Sequence, residues 1–172
     1  MKKLILPLTN EKIERLKAGD EILISGKIYT ARDQAHKRFI EMQKSGKKLP
    51  IDLKRATIYY CGPTKTKPGK IVGSCGPTTS SRMDSFTPAL LKAGLRGMIG
   101  KGSRSKEIVE AIKRYKAVYF VAIGGAGAYL SKKVKKAAVA AFKDLGPEAV
   151  YALEVKDFPV IVGIDSGGRK LC

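Results

Sequence analysis

The chain has 172 residues, of which 44% are apolar, and 34 Lys and Arg against 15 Asp and Glu give it a formal charge of +19. That length suits one domain with a substantial core, and the composition excludes disordered, collagen-like and low-complexity classes. The longest apolar run, Ala117 to Ile123, is far too short to cross a bilayer. The apolar stretch behind Lys2-Lys3 soon meets Thr9-Asn10-Glu11-Lys12, without the long core or cleavage site of a signal peptide, so a cytoplasmic protein is expected.

In chain order, Lys2 to Leu8 reads as a short strand and Asn10 to Lys17 as a short helix with Thr9 or Asn10 as its cap. Glu21 to Thr30 is rich in β-branched residues and predicts a strand, bulged at Gly26. Arg32 to Lys44 predicts a helix with Ala35, Phe39 and Met42 on one face. Thr57 to Cys61 and Lys70 to Ser74 read as strands, each running into the tetrapeptide Cys-Gly-Pro-Thr. A helix is expected from Thr87-Pro88 to Gly94, since proline suits the first helical position.

Gly97 to Gly102 is a short glycine-rich stretch around Lys101, followed by a helix over Ser105 to Tyr115 and a buried strand over Ala117 to Ile123. Residues 124–127 form a loop, and Leu130 to Lys143 predicts a helix with an alanine-rich inner stripe and a lysine-rich wet face. Ala149 to Val155 and Phe158 to Asp165 predict two strands, the second at a sheet edge because of Pro159. A β-rich first part and an alternating second part, with no linker between them, predict a single α/β domain over residues 1–172.

The charge fits nucleic acid, an anionic small substrate or an acidic partner chain. No aromatic-studded strand marks a nucleic-acid module, and aromatics are only 7%. Cys61, Cys75 and Cys172 are odd in number and lack Cys-x-x-Cys spacing, and His36 is the one histidine; neither a disulfide framework nor a zinc site is expected.

Residues Cys75 to Asp84 read Cys-Gly-Pro-Thr-Thr-Ser-Ser-Arg-Met-Asp. Four consecutive hydroxyls at a strand-to-helix junction are poor core material but could cap the helix and bind an anion on free backbone amides. Arg82 adds a planar fork that matches a carboxylate. Arg32 follows a strand directly, where α/β folds place functional groups. Asp33 could cap the following helix, and His36 reads as structural. Lys101 sits between two glycines, where the backbone can approach a ligand. This set can hold a dianion, yet it lacks the Lewis acid or strong general acid needed to break a carbon–oxygen bond. A missing partner is implied.

The segments Tyr29-Thr-Ala-Arg-Asp-Gln-Ala-His-Lys-Arg38, Gly73-Ser-Cys-Gly-Pro-Thr-Thr-Ser-Ser-Arg-Met-Asp84, Gly100-Lys-Gly102, Gly124-Gly-Ala-Gly127, Asp144-Leu-Gly-Pro-Glu-Ala149 and Val155-Lys-Asp-Phe-Pro159 occur in an order that resembles the β subunit, or C-terminal domain, of class I iron–sulfur fumarate hydratases and tartrate dehydratases. The resemblance implies a swivelling β/β/α domain that closes over a [4Fe–4S] cluster ligated by a partner α subunit. It implies a hetero-oligomer such as α2β2, and reversible hydration of fumarate to malate or dehydration of tartrate. By matching motif positions, Arg32, Arg82 and Lys101 would bind the dicarboxylate, and Thr78 would take the proton from substrate carbon. An alcohol is a weak base, so Thr78 would need help from an acidic group of the partner. A basic nucleic-acid-binding domain is the more remote alternative.

Overall fold

The computed structural model describes residues 1–122 and 126–171. The chain forms β1 (Lys2–Ile5), α1 (Asn10–Glu14), β2 (Glu21–Thr30), α2 (Asp33–Lys44), β3 (Thr57–Tyr59), a 3-10 turn (Ser80–Met83) and α3 (Thr87–Lys92). It continues with β4 (Gly97–Gly100), α4 (Lys106–Tyr115), β5 (Val118–Val121), α5 (Gly127–Ser131), β6 (Val134–Ala141), a second 3-10 segment (Lys143–Glu148) and β7 (Val150–Ile164).

All strands join one seven-stranded sheet in the order β1-β2-β3-β4-β5-β7-β6. Strands β1 to β5 pair in parallel, and β7 runs antiparallel to β2, β5 and β6. The extra β2–β7 pairing closes β2, β3, β4, β5 and β7 into a barrel-like ring. Closure removes sheet edges from that ring, while β1 and β6 stay outside it at the two ends of the sheet.

Alternation along the parallel strands divides the buried residues between two cores. Ile22, Ile24, Tyr59, Ile99, Val118 and Phe120 fill one, with Phe158 and Val160 of β7. Ile58, Tyr60, Met98 and Tyr119 face the other, with Phe39 of α2, Leu90 and Leu91 of α3 and Ile108 and Ile112 of α4. The helix starts follow capping chemistry: the Thr9 hydroxyl accepts from the Lys12 amide at 3.3 Å and the Ser105 hydroxyl from the Ile108 amide at 3.3 Å. Pro88 lies in the first turn of α3.

The two strands expected over residues 149–165 are one strand, β7, of 15 residues. The break read at Lys156-Asp157 is a bulge: pairs Ile24–Phe158 and Gly26–Val155 enclose one more residue on β7 than on β2. Asp157 takes φ 53° there, and its amide donates to the Ser25 hydroxyl at 3.0 Å. Gly26 answers it with φ 127° and with Leu6 packed so close that a Cβ would come within 2.9 Å of Leu6 Cβ. Pro159 falls between the residues that pair with β6 and those that pair with β5, where β7 is locally an edge.

Two expected elements do not form. The helix read over Leu130 to Lys143 stops at Ser131, and Val134–Ala141 is strand β6. Its alanines favour helix intrinsically, but the antiparallel pairing of Val134–Val155 through Ala141–Val150 outweighs that preference. Lys70 to Ser74 is not a strand either; the segment is a loop closed by the Thr64 amide to the Ser74 carbonyl at 3.0 Å. The glycine-rich stretch from Gly97 contains strand β4. Its glycines fit because a Cβ at Gly97 would meet the Thr57 side chain, and one at Gly100 would meet Ser80 Oγ. Ile123, Gly124 and Gly125, read as strand end and loop, and the Cys172 terminus lie outside the described residues.

Candidate functional site

The carboxyl ends of β2, β3 and β4 lie side by side on one edge of the parallel sheet, the edge where open α/β folds bind ligands. Arg32 follows β2 by two residues and caps α2, without a side-chain capping bond. Lys101 follows β4 immediately. The Thr78 amide donates to the Tyr60 carbonyl at 2.7 Å, one residue beyond β3. Thr79 and Lys101 form a parallel bridge, and the Ser80 amide donates to the Lys101 carbonyl at 2.9 Å. The loop carrying Thr78 is thereby laid across the ends of β3 and β4.

Arg82 is drawn to the same edge through its side chain. Its Nε and Nη2 donate to Asp33 Oδ2 at 3.1 and 2.9 Å, tying the 3-10 turn to the first turn of α2. Arg32, Thr78, Arg82 and Lys101, picked out from three separate motifs, therefore share one edge. Arg32 and Thr78 are half-buried, whereas Arg82 and Lys101 are exposed. Gly62 lets Arg32 lie flat: a Cβ there would sit 2.9 Å from Arg32 Cδ and 3.1 Å from its Nη1 and from the Pro147 carbonyl.

In the stretch expected to offer amides to an anion, the Thr78 and Ser80 amides donate to the Tyr60 and Lys101 carbonyls, and the Asp84 amide donates to the Ser81 carbonyl at 3.2 Å. Ser80 is also core rather than rim: it is buried and accepts from the Tyr119 hydroxyl at 2.7 Å. Asp33 grips Arg82 instead of capping α2.

His36 is fully buried, edge-on to Tyr60 and beside Phe39 and Phe86. Its Nδ1 lies 2.8 Å from the Arg32 carbonyl, so Nδ1 carries the proton and donates. Burial lowers its pKa to about 4, against the pull of the Arg32 carbonyl. The ring is neutral at pH 7 and braces the turn that presents Arg32. Arg32 Nε, Asp33 Oδ1, His36 Nε2 and the Tyr60 hydroxyl are buried without partners among the described residues. Such a concentration of unspent polar atoms beside two arginines is costly unless the site takes up a polar ligand or water.

Sequence reasoning missed the brace beneath the site. Arg104 is buried; its Nε donates to Asp84 Oδ1 at 2.6 Å and its Nη2 to Thr87 Oγ1 at 3.0 Å. Asp84 Oδ2 accepts from the Ser105 amide at 2.9 Å. The guanidinium lies 5.2 Å from the Tyr60 ring centre and 5.0 Å from that of Tyr119. No spacing rule links residues twenty apart on different elements, so only the fold reveals this pair.

The repeated Cys-Gly-Pro-Thr brings Cys61 and Cys75 together with their sulfurs 3.3 Å apart in the first core. Their mutual hydrogen bond and burial push the Cys61 thiol well above its ordinary pKa. Among the described residues no group of three His, Cys, Asp or Glu side chains could hold a metal.

The fold is a mixed α/β sheet with barrel-like closure and a cationic, hydroxyl-bearing edge. The chain belongs to the fumarase C-terminus family, whose model matches residues 2–172. It is 43% identical to a Methanocaldococcus jannaschii protein named "Putative L(+)-tartrate dehydratase subunit beta", covering 95% of this chain and 87% of that one. It is 37% identical to fumarate hydratase 2 of Leishmania major over 94% of this chain, and 36% identical to the anaerobic class I fumarate hydratase of Escherichia coli K12 over 92%. The chain spans only 29% of each of those two longer proteins. No helix among the described residues is long and apolar enough to cross a membrane.

Proposed function

We propose that this chain is the β subunit of a hydro-lyase of the class I fumarate hydratase type, gripping a four-carbon dicarboxylate while an α subunit supplies the [4Fe–4S] cluster. The convergence of Arg32, Thr78, Arg82 and Lys101 on one sheet edge carries this reading. Arg32 and Arg82 each present a planar fork suited to a carboxylate, and Lys101 adds a mobile point charge. Proton removal beside a carboxylate builds negative charge that these cations stabilise. In this reading the Thr78 hydroxyl moves that proton, with an acidic group of the α subunit taking it onward. Such a division of labour matches relatives in which a segment like this chain is under a third of the whole.

Reversible hydration of fumarate is the leading reaction. Tartrate dehydration is the second reading, favoured by the 43% identity and near-equal length of the Methanocaldococcus protein. Anaerobic co-expression with the companion α subunit, followed by hydratase assays on fumarate and on L(+)-tartrate, tests both. Activity is expected only in the complex. An active isolated chain, or an inactive complex with its cluster in place, overturns the proposal.

A further inference from the structure

Loop 62–74 carries Lys65, Lys67 and Lys70, and the stretch 126–136 carries Lys132, Lys133, Lys135 and Lys136, with no acidic residue in either. None of these seven takes part in an ion pair among the described residues. The fold sets the two segments face to face around a groove of about 550 Å³. Five of the lysines wall it, while Ile71, Val72 and Val134 supply apolar lining. Ile71 remains 51% exposed, which is unusual for an isoleucine beside a core.

A second groove of about 550 Å³ continues from the first, sharing Lys65, Ile71 and Val72 and reaching Val139, Pro147 and Tyr151. Pro147 contacts the space over Gly62 next to Arg32, so the surface leads to the candidate site. Strand β6 borders both grooves and, among the described residues, pairs only with β7. Its last five residues, Ala137 to Ala141, carry no charge, and Val139 is 45% exposed. Folded proteins blunt such an edge with charge, proline or a covering element. Here Lys135 and Lys136 guard only its start.

We propose that this lysine-walled groove, with the open edge of β6, seats an acidic segment of the companion α subunit. The inference rests on the reading of the chain as a β subunit. Charge complementarity selects an acidic occupant, because like charges packed without counter-ions repel until a partner neutralises them. The apolar lining selects protein over nucleic acid, since a phosphate backbone would leave Ile71, Val72 and Val139 uncovered. The cationic side chains of the groove are all lysines, without the arginine forks and stacking rings that single-stranded nucleic acid favours.

The test uses the full chain and the full-length companion α subunit, with affinity measured at physiological salt. The triple variant Lys65→Glu/Lys67→Glu/Lys70→Glu and the double variant Lys132→Glu/Lys135→Glu should each weaken the complex at least about tenfold, with melting temperatures unchanged. Lys106→Glu/Lys113→Glu on α4, which packs on the other core, should bind like wild type. Wild-type affinity in both groove variants overturns the surface assignment and leaves the subunit reading standing. Failure of the wild-type chain to bind the α subunit removes both. Sub-micromolar binding of a single-stranded RNA 20-mer, lost in the triple variant while α-subunit binding is kept, assigns the groove to nucleic acid instead.

Discussion

Protonation of the one histidine should set the acid limit of this fold. His36 has a folded pKa of about 4 against 6.5 when unfolded, because burial disfavours the imidazolium. The unfolded chain therefore binds the extra proton between these values, and stability falls as pH drops through that window. The full linkage amounts to about 3 kcal/mol, of which about 2 kcal/mol is lost between roughly pH 7.5 and pH 5. Asp20, Asp144 and Asp165 have carboxyl pKa values held below 3.8, so the stability they give is lost only at lower pH. Urea unfolding at several pH values should show the 2 kcal/mol decline in wild type. His36→Asn keeps a donor for the Arg32 carbonyl and should be less stable at neutral pH, but its stability should be flat over the same range. Equal declines in wild type and variant would refute the assignment of the slope to His36.

Asp84→Ala leaves the Arg104 guanidinium buried without its carboxylate, and should cost about 3–5 kcal/mol, read as a drop of about 10 °C or more in Tm. Asp84→Ala/Arg104→Met should recover part of that loss, and a single-variant Tm equal to wild type would remove the brace from the account. Gly100→Ala drives a methyl into Ser80 and to 2.8 Å from Tyr60 Cδ2. It should lower unfolding stability by about 1–3 kcal/mol in urea, and no change would show that the loop crossing the end of β4 is free to shift. Arg82→Ala, assayed in the complex with the α subunit, should lower kcat/KM on the order of a hundredfold, about 3 kcal/mol. Kinetics like wild type would take Arg82 out of the substrate site.

Local chemistry in the sequence foretold the Thr9 cap, the irregularity of the sheet at Gly26 and the early strands, because each depends on a few neighbouring residues, but the extra residue of the bulge lies on β7 rather than on β2. The candidate site residues could be picked out for a related reason. Arg32, Thr78, Arg82 and Lys101 each stand at a junction between regular elements, where side chains are not needed for packing. Their immediate partners were not legible. Asp33 pairs with Arg82 across 49 residues, and the Arg104–Asp84 pair and the Tyr119–Ser80 hydrogen bond join different elements. Nor was it legible that the Thr78 and Ser80 amides would be committed to the Tyr60 and Lys101 carbonyls.

Composition and the alternation of elements determined by themselves that this is a mixed α/β chain rich in cations. Only the tertiary structure decided where β6 goes. The segment from Val134 to Ala141 has a helical composition, and it becomes a strand because β7 offers it a ladder of antiparallel partners. Only closure of β7 onto β2 sets the barrel-like ring. Propensity acts within a few residues, whereas strand pairing sums over contacts more than a hundred positions apart between β2 and β7. At β6 the ladder with β7, joining residues 9 to 21 positions apart, outweighed the local preference.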